Sequence, residues 1–221
     1  MKISNLSHAL ARRLRRRVRK RAVVSASAAI LAGGLLFAGH AHADPALIGW
    51  QEDKTTTPTE GPVEFFGWTF MNKDSWIATA EGQDRDSFTR AEGTLMVADG
   101  DEYDDSGDIG DDQMNVFIMT PEFSISDDPA SATLNFDSSF RPYDTMTGLV
   151  DVSFDGGATY ANLLTLDTAS TPGGTSSLER ADEAVALPLG AAPGDANAML
   201  RFGLVDTGND WWWAVDNIDV T

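Results

Sequence analysis

Hydrophobic and polar residues alternate along much of the chain. In Ala132–Phe140, Leu134, Phe136 and Phe140 fall on one face, and Thr133, Asn135, Asp137 and Ser139 fall on the other. Leu149–Phe154 repeats the pattern, with Val150, Val152 and Phe154 opposed by Asp151 and Ser153. Asn197–Leu204 sets Leu200, Phe202 and Leu204 against Arg201. A period of two marks a strand with one face buried. Val63–Phe70, Thr94–Ala98, Asn115–Met119, Tyr160–Leu166 and Val185–Leu189 are further strand candidates. No stretch sustains a helical period, and Ser177–Ala186 has room for one helical turn at most. Asp155-Gly156-Gly157 reads as a tight hairpin. Thr171–Ser177 and Ala191–Asp195, rich in Gly and Pro, read as loops. About nine strands so connected predict an all-β fold, a two-sheet antiparallel β-sandwich of jelly-roll type.

The pattern does not begin at residue 1. Residues 1–43 contain no Asp or Glu, a basic cluster from Arg12 to Arg21, an apolar run from Ala22 to Gly39, and Ala41-His42-Ala43. This is the layout of a signal peptide with a small-x-small cleavage site. The expected product starts at Asp44 and is secreted to the extracellular space or the periplasm; no later segment is apolar enough to span a membrane. Either the general or the twin-arginine route fits the basic cluster. Residues 44–61 are polar and read as an N-terminal arm, and 62–221 as the single sandwich domain.

Composition then removes whole classes of chemistry. Residues 44–221 hold all 34 acidic residues and 7 of the 16 basic ones, a net charge of 7 − 34 = −27. They contain no Cys and no His. A Ser-His-Asp or Cys-His hydrolase, a Cys/His zinc site, and haem or iron–sulfur ligation are therefore excluded for that part of the chain. Such a charge also argues against nucleic acid as a partner.

What remains is carboxylate and aromatic chemistry. Asp99–Asp112 has eight acidic residues in fourteen. Oxygen donors at that density suit Ca²⁺, and they equally suit a solvated acidic loop. Near the C-terminus, Trp211, Trp213 and Val215 share one phase and Ile218 and Val220 the other. The switch falls at Asp216-Asn217 and predicts a β-bulge. An inward Asp216 needs a partner, either a metal ion or backbone and Trp N–H groups. Trp211-Trp212-Trp213 puts Trp212 on the face opposite its neighbours: a platform for a ligand, or a second buried surface. Arg141, Tyr143 and Asp144 follow a strand and form either a binding groove or a salt-bridged loop.

Several phrases, in order, resemble the secreted bacterial jelly-roll domains called choice-of-anchor or cleaved-adhesin domains, relatives of the MAM domain. They are Gly67-Trp-Thr-Phe70, Leu95–Gly100, Met119–Ser126, Asp155–Tyr160, Leu200–Asp206 and Trp211–Val220. The resemblance covers about residues 62–221, and the terminal phrase is its most specific part. It implies a structural Ca²⁺ held by the Asp of the closing motif, Asp216, with acidic residues of an early strand and a post-strand loop, which match Glu64, Asp99 and Asp101. It also fits a non-catalytic module for binding or adhesion, recognising a glycan or a cell-surface protein; the platform and groove readings above make Trp212, Arg141 and Tyr143 the candidate ligand contacts. The alternatives are a self-associating matrix or filament protein, and a glycosidase or lyase built on a carboxylate pair.

Overall fold

The computed structural model describes residues 51–54, 67–80, 82–103, 114–125, 128–208 and 210–221. All of them belong to one compact unit, Gly34–Thr221. Residues 1–43, expected to be a signal peptide, and Glu64 lie outside the described residues.

Eleven strands follow in chain order: β1 (Gln51–Lys54), β2 (Thr69–Asn72), β3 (Thr94–Asp99), β4 (Met114–Met119), β5 (Phe123–Ser124), β6 (Thr133–Phe140), β7 (Thr147–Ser153), β8 (Ala161–Leu166), β9 (Glu183–Pro188), β10 (Asn197–Thr207) and β11 (Trp212–Val220). They form two antiparallel sheets. One runs β1-β4-β10-β7-β8, with β5 also on β10, and the other runs β2-β3-β11-β6-β9. The expected two-sheet sandwich is present. The described part of the segment read as an arm, 51–54, is an edge strand paired with β4.

The main core lies between the sheets. Its centre is Trp213, whose ring meets Trp68 edge-on at 5.4 Å and lies 5.8 Å from Phe202. Trp213 Nε1 donates to Ser138 Oγ at 3.0 Å, so the indole is buried with its polar atom satisfied.

The predicted bulge is present. The β11–β6 register shifts between Asp216 and Asp219, and Asn217 sits at φ 54°. One extra residue moves the following residues to the other phase. Trp213, Val215, Ile218 and Val220 therefore all reach the same core, although their spacing in the sequence puts them out of phase.

The other face of β11 is buried as well. Trp212 and Ala214 pack with Trp76, Phe88, Ala91, Leu95 and Val97 in a second cluster. Its cover is the segment between β2 and β3. That segment contains a helix, α1 (Lys73–Thr79), which the sequence pattern missed. Seven residues are too few to show a period. Its start is fixed by Asn72, which caps the N-terminus, accepting from Asp74 N at 3.0 Å and Ser75 N at 3.3 Å. The connection between β7 and β8 is also longer than a tight hairpin. It spans 154–160, with Gly156 at φ 71° and Gly157 at φ 87°.

One ion pair fixes the cover. Arg85 Nη2 lies 2.9 Å from Asp99 Oδ2, with both side chains fully buried. The same guanidinium donates to Trp76 O at 2.9 Å and stacks on the Trp76 and Trp212 rings. Replacing one member strands a buried charge. Arg85→Met is expected to cost about 3–5 kcal/mol in urea denaturation. Pairing it with Asp99→Leu should recover at least half of that loss, because the uncompensated carboxylate is then gone.

Candidate functional site

Of the proposed calcium ligands within the described residues, Asp99 and Asp216 do not come together. Asp99 stands opposite Trp212 on the β3–β11 ladder, and Asp216 is four residues further along β11. At the rise of a strand that is about 13 Å. Asp99 is committed to Arg85. Asp101 accepts from Gln83 Nε2. Asp216 accepts Glu92 N and its neighbour Asn217 N, each at 2.8 Å. Among the described residues, no group of three or more His, Cys, Asp or Glu side chains is arranged to hold a metal ion. The bulge does re-aim Asp216, but toward two backbone N–H groups, Glu92 of the covering segment and Asn217 beside it, which satisfy the buried carboxylate.

The three expected ligand contacts part company too. Trp212 is fully buried, with Nε1 donating to Ser139 Oγ at 3.1 Å, so it is not a platform. Helix α1 and the chain to Gly93 cover its face, and no local pattern in the sequence announces that cover. Arg141 is buried as well. Its guanidinium lies 4.1 Å from the Trp211 ring centre, donates to Gln83 O and pairs with Asp84 at 3.4 Å. Burial lowers its pKa, and Asp84 opposes that shift. Tyr143 alone is exposed, at 51%.

The outer face of the other sheet carries a constellation that the sequence reading missed. Leu200, Phe202 and Leu204 of β10 point into the core, so Arg201 points away from it. Arg201 donates to Asp151 Oδ2 from Nε at 3.0 Å and from Nη2 at 2.7 Å. Asn162 Nδ2 donates to the other oxygen of Asp151 at 3.0 Å. The Arg201 guanidinium also lies over two rings, 4.0 Å from the centre of Tyr160 and 4.7 Å from that of Phe117. Four strands or their ends contribute: Phe117 from β4, Arg201 from β10, Asp151 from β7, and Tyr160 and Asn162 at the start of β8.

Gly203 makes room for one of the rings. It pairs with Phe117 across the β10–β4 ladder, and a Cβ there would sit 2.4 Å from Phe117 Cε1. The ring can lean over β10 only because that position has no side chain. Half-buried Met119, Leu149 and Met199 lie on the same face, next to these residues in the register. The result is an aromatic and apolar surface with a fixed cation at its centre. A sequence signal for it existed. Val116-Phe117-Ile118-Met119 is apolar on both faces of one strand, more than a single core requires.

The turn next to this face is also held by a carboxylate. Asp155 accepts from Thr159 Oγ1 at 2.6 Å, Thr159 N at 2.9 Å and Ser153 Oγ at 2.7 Å. The Thr159 bonds chiefly, with help from Ser153, pull its pKa from 3.8 to about 2. Burial raises the Tyr160 phenol pKa, so the phenol is neutral in ordinary buffers.

No protein-family model matches the chain, and no curated protein matches it. Solved structures of similar shape include TmCBM61 in complex with β-1,4-galactotriose, with a TM-score of 0.44 and 9% identity over 78% of this chain and 87% of that one. Another is the K1 cleaved adhesin domain of Lys-gingipain from Porphyromonas gingivalis W83, at TM-score 0.44 and 12% identity over 78% of this chain and 97% of that one. A third is a family 11 carbohydrate-binding module from Clostridium thermocellum with a β-1,3-1,4-mixed-linked tetrasaccharide, at TM-score 0.39 and 12% identity over 80% and 92%.

Two outcomes are expected from these contacts. Asp216→Asn should cost about 1–3 kcal/mol, because a carboxamide cannot accept both N–H groups with its one oxygen. The loss should be the same in chelator and in Ca²⁺. A calcium-dependent melting temperature that vanishes in the variant would restore the metal reading. The second outcome concerns Asp155. Its folded pKa is depressed, so the stability it adds is complete above the unfolded value and disappears as pH falls from about 4 to about 2. A carboxyl carbon NMR titration should put its midpoint near 2, and Thr159→Val should move it up.

Proposed function

We propose that this is a secreted, non-catalytic binding module that recognises a glycan through the outer face of the β1-β4-β10-β7-β8 sheet. One observation carries the reading. On that face, away from the core, an arginine is locked between two aromatic rings and tied to a buried aspartate.

Each part has a use in binding. The guanidinium is already oriented by two bonds to Asp151, so little side-chain entropy is lost when a ligand arrives. Tyr160 and Phe117 offer apolar ring surface to the C–H faces of a sugar, and the Asn162 carbonyl oxygen and the Tyr160 hydroxyl offer polar groups to its hydroxyls. The guanidinium charge is neutralised by Asp151, and residues 44–221 carry a net charge of 7 − 34 = −27. A neutral polysaccharide therefore suits the face better than a polyanion. Calcium enters the proposal as a stabilising cation for the acidic run Asp99–Asp112, most of which lies outside the described residues. Secretion rests on residues 1–43; among the described residues no helix is long and apolar enough to cross a membrane.

The test is affinity electrophoresis through gels containing neutral or acidic polysaccharides. Retardation is expected in at least one neutral gel. Tyr160→Ala and Arg201→Ala should each weaken it by about tenfold or more, while near-ultraviolet circular dichroism stays that of the wild type. Retardation that survives both substitutions would place the ligand elsewhere.

A further inference from the structure

An exposed aromatic lies on the connection between the two sheets, with surroundings different from those of the Arg201 face. Tyr143 and Leu178 are the exposed large hydrophobic side chains among the described residues. Tyr143 sits between β6 and β7, and its backbone is held firmly. Asp210, itself buried, accepts Tyr143 N at 3.1 Å and Asp144 N with one carboxylate oxygen. The other oxygen accepts Gly208 N at 3.2 Å. Thr145 Oγ1 donates to Asp206 O, tying the same turn to the end of β10. The ring stands edge-on to Trp211, at 6.3 Å, and Arg141 lies on the Trp211 ring beneath.

The charges around Tyr143 are of one sign. Asp144 on the turn and Asp206 at the end of β10, to which the turn is tied, are exposed, and the Asp84 side chain is 54% exposed. The nearby cation, Arg141, is buried and already paired with Asp84. An exposed ring on a fixed backbone, flanked by free carboxylates, is complementary to an amphipathic cation. Its π face attracts a guanidinium or ammonium, and the carboxylates hold the same charge at closer range. The charge of the whole domain adds to the attraction at a distance. A neutral sugar gains nothing from that field.

The geometry points to a protein-docking site at Tyr143, Asp144 and Asp206 that takes a lysine- or arginine-bearing segment of a partner. It is separate from the Arg201 face, lies where the β6–β7 connection between the sheets meets the end of β10, and does not depend on the glycan reading. The preorganised turn lowers the ordering cost of binding, and the ring supplies the anchor.

A fluorescent ten-residue peptide of alternating lysine and glycine is a suitable probe, read by anisotropy with the full mature protein. The wild type should bind it, and Tyr143→Ala should weaken binding by about two- to fivefold, the range of an exposed cation–π contact. Tyr143→Phe should keep it within the error of the measurement, since the ring and not the hydroxyl is used. Asp144→Asn with Asp206→Asn should weaken it further and flatten its salt dependence. Tyr160→Ala should leave it unchanged. Equal binding by wild type and Tyr143→Ala would show attraction to diffuse charge only and would overturn the site. So would an equal loss in Tyr160→Ala, which would move the peptide to the sheet face. Because Tyr143 is half exposed, its truncation does not threaten the fold, and an unchanged melting temperature confirms that.

Discussion

Strand β11 must bury both of its faces, and much else in the molecule follows from that demand. Trp213, Val215, Ile218 and Val220 need the space between the sheets, and Trp212 and Ala214 need cover on the far side. The bulge at Asp216-Asn217 satisfies the first need by correcting the phase within one strand. The segment between β2 and β3 satisfies the second, with Trp76 and Phe88 laid over Trp212. That segment is anchored at its ends and in its middle. Lys73 N and Nζ donate to Gly93 O and Ala91 O, Asp216 holds Glu92 N, and Arg85 reaches Asp99. The cover lies on one sheet, and the face proposed for ligand is the outer face of the other.

The acidity of the chain is used in more than one way. Asp99 and Asp151 are buried and meet arginines, while Asp210 and Asp216 are buried and meet backbone N–H groups. With seven basic residues after residue 43, the chain has few cations to offer, and backbone donors do the same work without one. This is why a buried carboxylate here does not by itself imply a metal ion. Apart from Asp219, the other described carboxylates are exposed or partly exposed, where they keep the surface negative and sharpen the contrast between the neutralised Arg201 face and the open Tyr143 turn.

The two surfaces also differ in how their aromatic rings are used. On the sheet face the cation between the rings comes from the protein itself. At the Tyr143 turn, Arg141 occupies Trp211 but leaves Tyr143 exposed. This difference is what separates the two proposals, an uncharged ligand in one place and a cationic one in the other.

Much of the fold was legible in order along the chain. The period of two located β3, β4, β6, β7, β8, β9 and β10, and the phase break at Asp216-Asn217 located the bulge, because both are set by the alternation of side chains along a strand. The missing His and Cys likewise fixed, from sequence alone, the chemistry that residues 44–221 lack. What the sequence left open was which residues meet. Glu64, Asp99, Asp101 and Asp216 looked like one set, but strand register puts Asp99 and Asp216 on different rungs. Trp212 looked like a platform, but helix α1, too short to leave a period, covers it. Phe117, Tyr160, Asp151 and Arg201 lie far apart in the chain and become neighbours only through the pairing of β4, β10, β7 and β8. Alternation is a local property and fixes which face a side chain takes; register and sheet order are long-range, and only the folded structure decides which faces share a site.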